Sequence, residues 1–463
     1  MRRKMFSKVM AGMLVAATVL SGCGSSGDNT TSTDNTDNTD NAATDDADDD
    51  AATDDSASKD PVEITFSWWG SDDRHAAMQE VAKLYEEANE NVTVKVEYGA
   101  WDGWQTKLLT QLSGKTEPDV MQVNYNWVHS FGKGQNVFYN LNELDSLDLS
   151  NWDSNYLEAM TVGGEQGAVP HGMTGRVQLY SKPLFEDNSL EFPKTYNEVL
   201  EQAAVIGADN TATGADNNYV MMNVGNESRD LYIAQMLYNK TGKVMQEDGK
   251  VTYSEEEVKE ILELYKSLED AGAIPTFQQD DPIQNESNPV WTGGKVGSVY
   301  EWAGTLDKYI AAYKGGGAED ELGIAAYVTE NEGDTPTIYV KPNLGYAVSR
   351  NSKNPEVAAD FINFMFTNED AVKALKTTLG ISSNTVTKGI QENEGMITGK
   401  VKEAYDLLDT YEQAVLDPYF EDENVRGQRL TVLEAFRTGK YDSAEAAKQY
   451  IEKQQAELDK LYE

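Results

Sequence analysis

Residues 62–99 read VEITFSWWGSDDRHAAMQEVAKLYEEANENVTVKVEYG, and this stretch decides the fold. Val62, Ile64 and Phe66 alternate with Glu63 and Thr65, the period-two pattern of a strand. After the Gly70-Ser71 turn, Met78, Val81, Ala82, Tyr85 and Ala88 recur at helical spacing across residues 74–89, and VTVKVEYG (92–99) is a second strand. Working outward, WDGWQTKLLTQLSG (101–114) reads as a second helix and PDVMQVN (118–124) as a third strand. Strand, helix, strand, helix, strand implies a right-handed parallel sheet with helices on both faces, the start of an α/β lobe.

The alternation continues downstream. Thr195 with Glu198, and Ser254 with Glu257, have capping-box spacing ahead of VLEQAAVI (199–206) and VKEILELYKSLEDAG (258–272), so side chains there satisfy free N–H groups at two helix starts. GKVGSVYEWAG (294–304) reads as a further strand, and residues 344–375 as a strand leading into a long helix; the remainder is mostly helical. No repeat of solenoid period is present. At 463 residues, with 39% hydrophobic and 10% aromatic content, the chain is long enough for two domains with packed cores.

The 38 Lys and Arg residues against 79 Asp and Glu leave a formal charge of −41. That argues against nucleic-acid binding, which needs a basic face, because the basic cluster of this chain lies in its first eight residues. Arg2, Arg3, Lys4 and Lys8 precede an apolar run over 9–20 that is too short to span a bilayer stably, the pattern of an export signal over residues 1–22 that is removed. Leu20-Ser21-Gly22-Cys23 resembles the bacterial lipobox, in which the cysteine is acylated, so Cys23 is the expected lipidation site and membrane anchor. As the only cysteine, it leaves no intrachain disulfide and no thiol nucleophile elsewhere. Residues 24–60 set twelve aspartates against Lys59 with no large apolar side chain; they cannot build a core and read as a disordered tether. DDADDDAATDD within it lacks the glycine-punctuated spacing of a calcium loop. No metal or cofactor is expected, and the chain is expected to be a monomer.

In open parallel α/β sheets, ligands bind beyond the carboxyl ends of the strands. SWWGSDDRH (67–75), YGAWDGW (98–104) and VNYNWV (123–128) all fall at such ends. Trp68, Trp69, Trp101, Trp104, Tyr125 and Trp127 are therefore expected along one sheet edge, although one of Trp68 and Trp69 must point inward, since strand neighbours face opposite sides. Flat rings stack on the C–H faces of sugars while hydroxyls need planar donors and acceptors, and Asp72, Asp73, Asp102, Asn124 and Asn126 stand at the same edge. Carbohydrate is the leading ligand class.

ITFSWWGS (64–71), EPDVMQVN (117–124), FPKTYNEVLEQA (192–203) and NSKNPEVAADFINFMF (351–366), in that order behind a lipobox and a tether, resemble the family 1 extracellular solute-binding proteins of ATP-driven sugar importers, relatives of maltose-binding protein. WWGSDDRH, WDGWQ, PDVMQVNYNW and GMTGR are most similar to the oligogalacturonide-binding branch, which carries Trp where this chain has Tyr125. The resemblance implies a periplasmic-binding-protein-like α/β fold of class II, two lobes joined by a hinge of crossing strands. It also implies an oligosaccharide ligand handed to ABC transporter permease subunits on the extracellular or periplasmic side of the membrane. Carried onto this chain, residues 61–171 plus 294–340 form the N-terminal lobe and 172–293 plus 341–463 the C-terminal lobe, with Glu301 and Trp302 facing the cleft.

A uronate ligand would be held best by a guanidinium shielded from water. Arg74 and His75 on the first lobe, and His171 and Arg176 in PHGMTGR (170–176), are the candidate carboxylate partners, while His129 is read as a packed residue. A chain at −41 repels anions at long range, so neutral oligosaccharides stay equally open. Two other classes share features with this reading. A secreted carbohydrate-active enzyme needs two carboxylates at a set separation, which abundant acids do not establish; there is no HExxH and no phosphate-cradling Gly-Lys-Ser/Thr loop, and only three histidines are present. A polysaccharide adhesin would have the same tether and cleft.

Overall fold

The computed structural model describes residues 60–132, 136–210, 217–276, 283–334 and 336–462. The expected export signal, the acylated Cys23 and the acidic tether up to residue 59 lie outside the described residues. The opening alternation folds as read. β1 (Val62–Trp69), β2 (Val92–Gly99) and β3 (Val120–Val123) are parallel in the order β2-β1-β3, with Val62 opposite Val92, Trp69 opposite Gly99 and Phe66 opposite Val120. As the central strand, β1 is covered on both faces, and Ile64, Phe66 and Trp68 are fully buried.

α1 (Asp72–Ala88) buries Ala77, Met78, Val81, Ala82 and Tyr85, the predicted stripe with Ala77 in place of Ala88, and carries Asp72 and Asp73 in its first turn, where the helix dipole favours anions. α2 (Trp104–Gly114) and α3 (Tyr125–Gly132) complete the opening unit. Ahead of α2, Gly103 has φ 78°, a left-handed conformation that glycine adopts without a Cβ penalty, and the tight turn leaves Trp101 at the surface. Farther on, the helices Tyr196–Ile206 and Glu255–Asp270 both open on complete capping boxes, Thr195 with Glu198 and Ser254 with Glu257.

Gly345–Val348, antiparallel to β3, and Val169–Pro170 beside it complete the first sheet. A second sheet has the order Ser298–Trp302, Met173–Ser181, Thr337–Pro342, Glu412–Val415, and Leu322–Ala325 also pairs with Met173–Ser181. Each sheet organises its own hydrophobic core: Phe66, Trp68, Tyr346 and Phe361 belong to the first, Val177, Tyr232, Tyr300 and Tyr339 to the second. The protein is a two-lobed α/β structure.

Two chain crossings run side by side between the sheets. Val169–Pro170 passes into Met173–Ser181 through His171 and Gly172, and Thr337–Pro342 returns into Gly345–Val348 through Asn343 and Leu344. The His171 amide donates to the Leu344 carbonyl at 2.9 Å, the Asn343 amide to the Gly172 carbonyl at 2.9 Å, and the Gly172 amide to Asn343 Oδ1 at 3.1 Å. A Cβ at residue 172 would lie 2.2 Å from the Ile381 carbonyl oxygen, so this crossing requires glycine.

The lobe assignment of two segments is corrected. The strand within residues 294–304 does not return to the first lobe: Ser298–Trp302 runs antiparallel to Met173–Ser181, with Trp302 opposite Arg176, and Val299 and Tyr300 sit in the second core. The return comes at Gly345–Val348, and the helices Pro355–Thr367 and Glu369–Leu375 bury Phe361, Ile362 and Leu375 in the first core. Strand-forming residues mark both segments, but which sheet a strand joins is set by non-local pairing that local pattern does not encode.

Candidate functional site

Three of the six strand-end aromatics form one cluster. Trp101, on the loop between β2 and α2, is 50% exposed and stacks on Trp127 with centroids 5.3 Å apart and planes 8° from parallel. Trp69 lies 5.2 Å from Trp101 and 5.0 Å from Trp127, and Phe131 stacks behind Trp127 at 5.9 Å. Trp69 and Trp127 are buried, so they form a rigid floor that holds the Trp101 ring at the surface. On the same rim, the Asn124 Nδ2 donates to Asn126 Oδ1 at 3.0 Å, and the Asn124 carbonyl accepts the Trp127 amide at the start of α3.

The other three aromatics turn inward. Trp68 is fully buried; its indole N–H donates to His75 Nδ1 at 3.0 Å and its ring stacks on Tyr98 at 5.1 Å. Trp104 is buried in the first core. The buried Tyr125 donates its hydroxyl to the Leu416 carbonyl at 2.8 Å.

The second lobe supplies a polar wall. A cavity of about 710 Å³ is lined by Trp101, Asn124, Asn126 and Trp127 from the first lobe and by Glu227, Lys341, Tyr419, Glu421, Asp422 and Arg426, among others. A neighbouring cavity of about 430 Å³ shares Glu227 and Arg426 and adds Arg176, Glu301 and Trp302. A separate cavity of about 520 Å³ at the hinge strands, lined by Thr174, Ser382, Tyr405 and Asp406 among others, holds no tryptophan and none of the residues nominated from sequence.

Arg176 is the node of the wall. Its Nη1 donates to the Tyr300 carbonyl at 3.0 Å and lies 3.3 Å from Glu301 Oε1, while Nη2 donates to Glu227 Oε1 at 3.0 Å. The guanidinium sits 4.6 Å from the Trp302 ring, whose N–H donates to the same Glu227 oxygen at 3.0 Å. Burial works to lower the Arg176 pKa, but the carboxylates of Glu301 and Glu227 outweigh it and hold the group above the ordinary arginine value. Desolvation likewise opposes charge on Glu227, yet Arg176 and then Lys341 bring its pKa down to about 2, so both partners stay ionised at neutral pH. Lys341 lies 4.6 Å over Trp302 and pairs with Glu421.

These contacts show how the nominated carboxylate partners are held within the protein itself. Arg176 is 3% exposed, and its Nη groups are engaged within its own lobe, so it does not present an open fork to a ligand. Arg74 donates to the carbonyls of Trp69 at 3.3 Å and Thr378 at 3.0 Å, tying the end of β1 to the segment after Glu369–Leu375. His75 is the acceptor for Trp68, and Asp72 is exposed at the start of α1, outside the lining of both cavities. His171 is buried at the hinge against Phe366; burial, helped by the charge of Arg74, pushes its pKa down to about 3, so it is neutral there. His129 is packed as read, its Nε2 2.8 Å from the Ala159 carbonyl.

Glu227, Lys341, Glu421, Asp422 and Arg426 line the cleft and were not foreseen. The acids are three among 79 and carry no local signature, whereas Lys341, just before Pro342 at the second hinge crossing, is a position the sequence marks. Among the described residues, no group of three or more His, Cys, Asp or Glu could hold a metal ion, and no helix is long and apolar enough to cross a membrane.

Residues 69–372 match the family model described as bacterial extracellular solute-binding protein. A diacetylchitobiose binding protein of Streptomyces coelicolor is 24% identical over 283 residues, 60% of this chain and 63% of that protein. A solved periplasmic solute binding protein of Pectobacterium atrosepticum is 26% identical with a TM-score of 0.77, covering 87% of this chain and 100% of its own. A periplasmic oligogalacturonide binding protein of Yersinia enterocolitica, solved with saturated digalacturonic acid, shares the fold at 24% identity and a TM-score of 0.75, covering 87% of this chain and 100% of its own. The family match begins at the last residue of β1, runs through both hinge crossings and ends in the helices that close the first core. This chain belongs to the bacterial extracellular solute-binding proteins.

Proposed function

We propose that this protein captures an oligosaccharide between its lobes and delivers it to the permease subunits of an ABC transporter, working as a lipid-anchored monomer held through Cys23 on the outer side of the membrane. The observation that carries the reading is the exposed Trp101 ring, braced on Trp127 and opening onto a cavity whose other wall is polar. A sugar ring stacked there sets its C–H face on the indole and its hydroxyls toward Asn124, Asn126, Asp422 and Arg426. The two cavities, about 710 and 430 Å³, fall within the roughly 300–1,000 Å³ usual for small-molecule sites. The sugar named for the Streptomyces relative supports the ligand class.

Magnitudes suit capture without chemistry. At about −0.3 kcal/mol per heavy atom, a disaccharide of roughly two dozen heavy atoms reaches about −7 kcal/mol, or micromolar dissociation. A ligand that touches both lobes when the cleft is closed and one when it is open shifts the population toward closure, because only differential affinity moves such an equilibrium. The test is calorimetry of the protein with short, structurally varied oligosaccharides, with new reducing ends followed in parallel. One-to-one micromolar or tighter binding with no new ends is expected. New reducing ends would make the protein an enzyme, and binding confined to long polymer would make it an adhesin.

A further inference from the structure

We infer that the cleft sorts sugars by charge, accepting uncharged and amino-bearing rings and rejecting rings that carry a uronate carboxylate; this rests on the oligosaccharide reading above. The argument begins with the cations, because a carboxylate ligand needs one whose donors are both free and reachable. Arg176 fails on reach, since its one unpartnered donor, Nε, is buried with the rest of the side chain. Its Nη1 is engaged by the Tyr300 carbonyl and Glu301, its Nη2 by Glu227, and the side chain is 3% exposed. Lys341 is paired with Glu421, and its side chain is 12% exposed. Arg426 is more open, but it lies 4.0 Å from the second Glu227 oxygen.

The carboxylates outnumber these cations. Glu227, Glu301, Glu421, Asp422 and Glu423 line the two cavities against Arg176, Lys341 and Arg426, so the cleft is net negative before any ligand enters. The Glu227 side chain is 47% exposed and keeps its charge at neutral pH, so its free edge repels an incoming anion and accepts hydroxyl or ammonium donors. The whole chain, at −41, adds repulsion of the same sign. A uronate would have to break an existing ion pair to gain Arg176 or Lys341, and would have to compete with the ionised Glu227 for Arg426. A neutral hydroxyl needs only an acceptor, and the cleft is rich in them.

The experiment compares related ligands of different charge: oligogalacturonides as free acids and as full methyl esters, xylo-oligosaccharides with and without a glucuronate branch, and chitin oligosaccharides before and after N-deacetylation. Binding is measured by calorimetry at neutral pH, first in about 50 mM and then in about 500 mM salt. In either uronate pair that binds, the acidic member is expected to be at least tenfold weaker than its neutral counterpart, and a chitin oligosaccharide that binds should bind at least as tightly once deacetylation has given it ammonium groups. Raising the salt should narrow that gap by screening repulsion. Glu227→Gln, at a half-exposed position and checked for an unchanged melting temperature, frees Arg176 Nη2 and should also narrow it. An acidic member that binds as tightly as its neutral counterpart, or whose binding is weakened by salt, overturns the charge sorting and leaves sugar capture standing. If no member of any pair binds in either form, the oligosaccharide reading itself falls.

Discussion

Trp68 and Trp101 are near in sequence and opposite in role, and the difference lies in what each ring touches. Trp68 is enclosed between Phe66, at 4.8 Å, and Tyr98, with its indole N–H satisfied by His75, so it contributes packing. Trp68→Ala is expected to cost about 3–5 kcal/mol of stability in denaturant unfolding. Ligand affinity of the remaining folded protein should hardly change. His171 gives a second residue-scale test with a defined sign. Its folded pKa of about 3 lies below the ordinary value of 6.5, so the unfolded chain binds the proton first as pH falls. Its contribution to stability is therefore intact above pH 6.5 and is lost progressively down to about pH 3, at up to about 1.4 kcal/mol per pH unit. In unfolding titrations between pH 7 and 4, His171→Asn should show a shallower decline than the parent protein.

Among elements, the hinge is the most constrained. Gly172 lies where the two crossing strands exchange hydrogen bonds with Asn343 and Leu344, and the Ile381 carbonyl occupies the space a Cβ would need. Gly172→Ala should destabilise the protein by roughly 1–3 kcal/mol through this overlap. Chemical denaturation would measure it, and an unchanged midpoint would show that the crossing has room to spare. The elements also show what a sequence can and cannot reveal. The alternation from Val62 to Val123 and the capping boxes at Thr195 and Ser254 are local patterns, and they appear in place. Ser298–Trp302 is legible as a strand but its lobe is not, since its partner Met173–Ser181 lies more than a hundred residues upstream. The cleft was half legible for the same reason. Trp101, Asn124, Asn126 and Trp127 follow from strand ends, whereas Glu227 and Arg426 meet them only through the folding of distant helices.

At the scale of the molecule, two cores are joined by the paired crossing strands and by a third chain passage after Leu379, and the proposed capture requires the lobes to close about that narrow connection. Small-angle scattering should therefore record a smaller radius of gyration when a saturating oligosaccharide is added, with no change in secondary structure by circular dichroism. An unchanged radius would mean that the sugar is held by one lobe alone. The central claim is that the braced, exposed indole of Trp101 is where the sugar docks. Calorimetric titration of Trp101→Ala beside the parent protein, with whichever oligosaccharide the parent binds, tests it most directly. The account predicts an affinity loss of at least tenfold, about 1.4 kcal/mol, at an unchanged melting temperature. Equal affinity in the two proteins would contradict it.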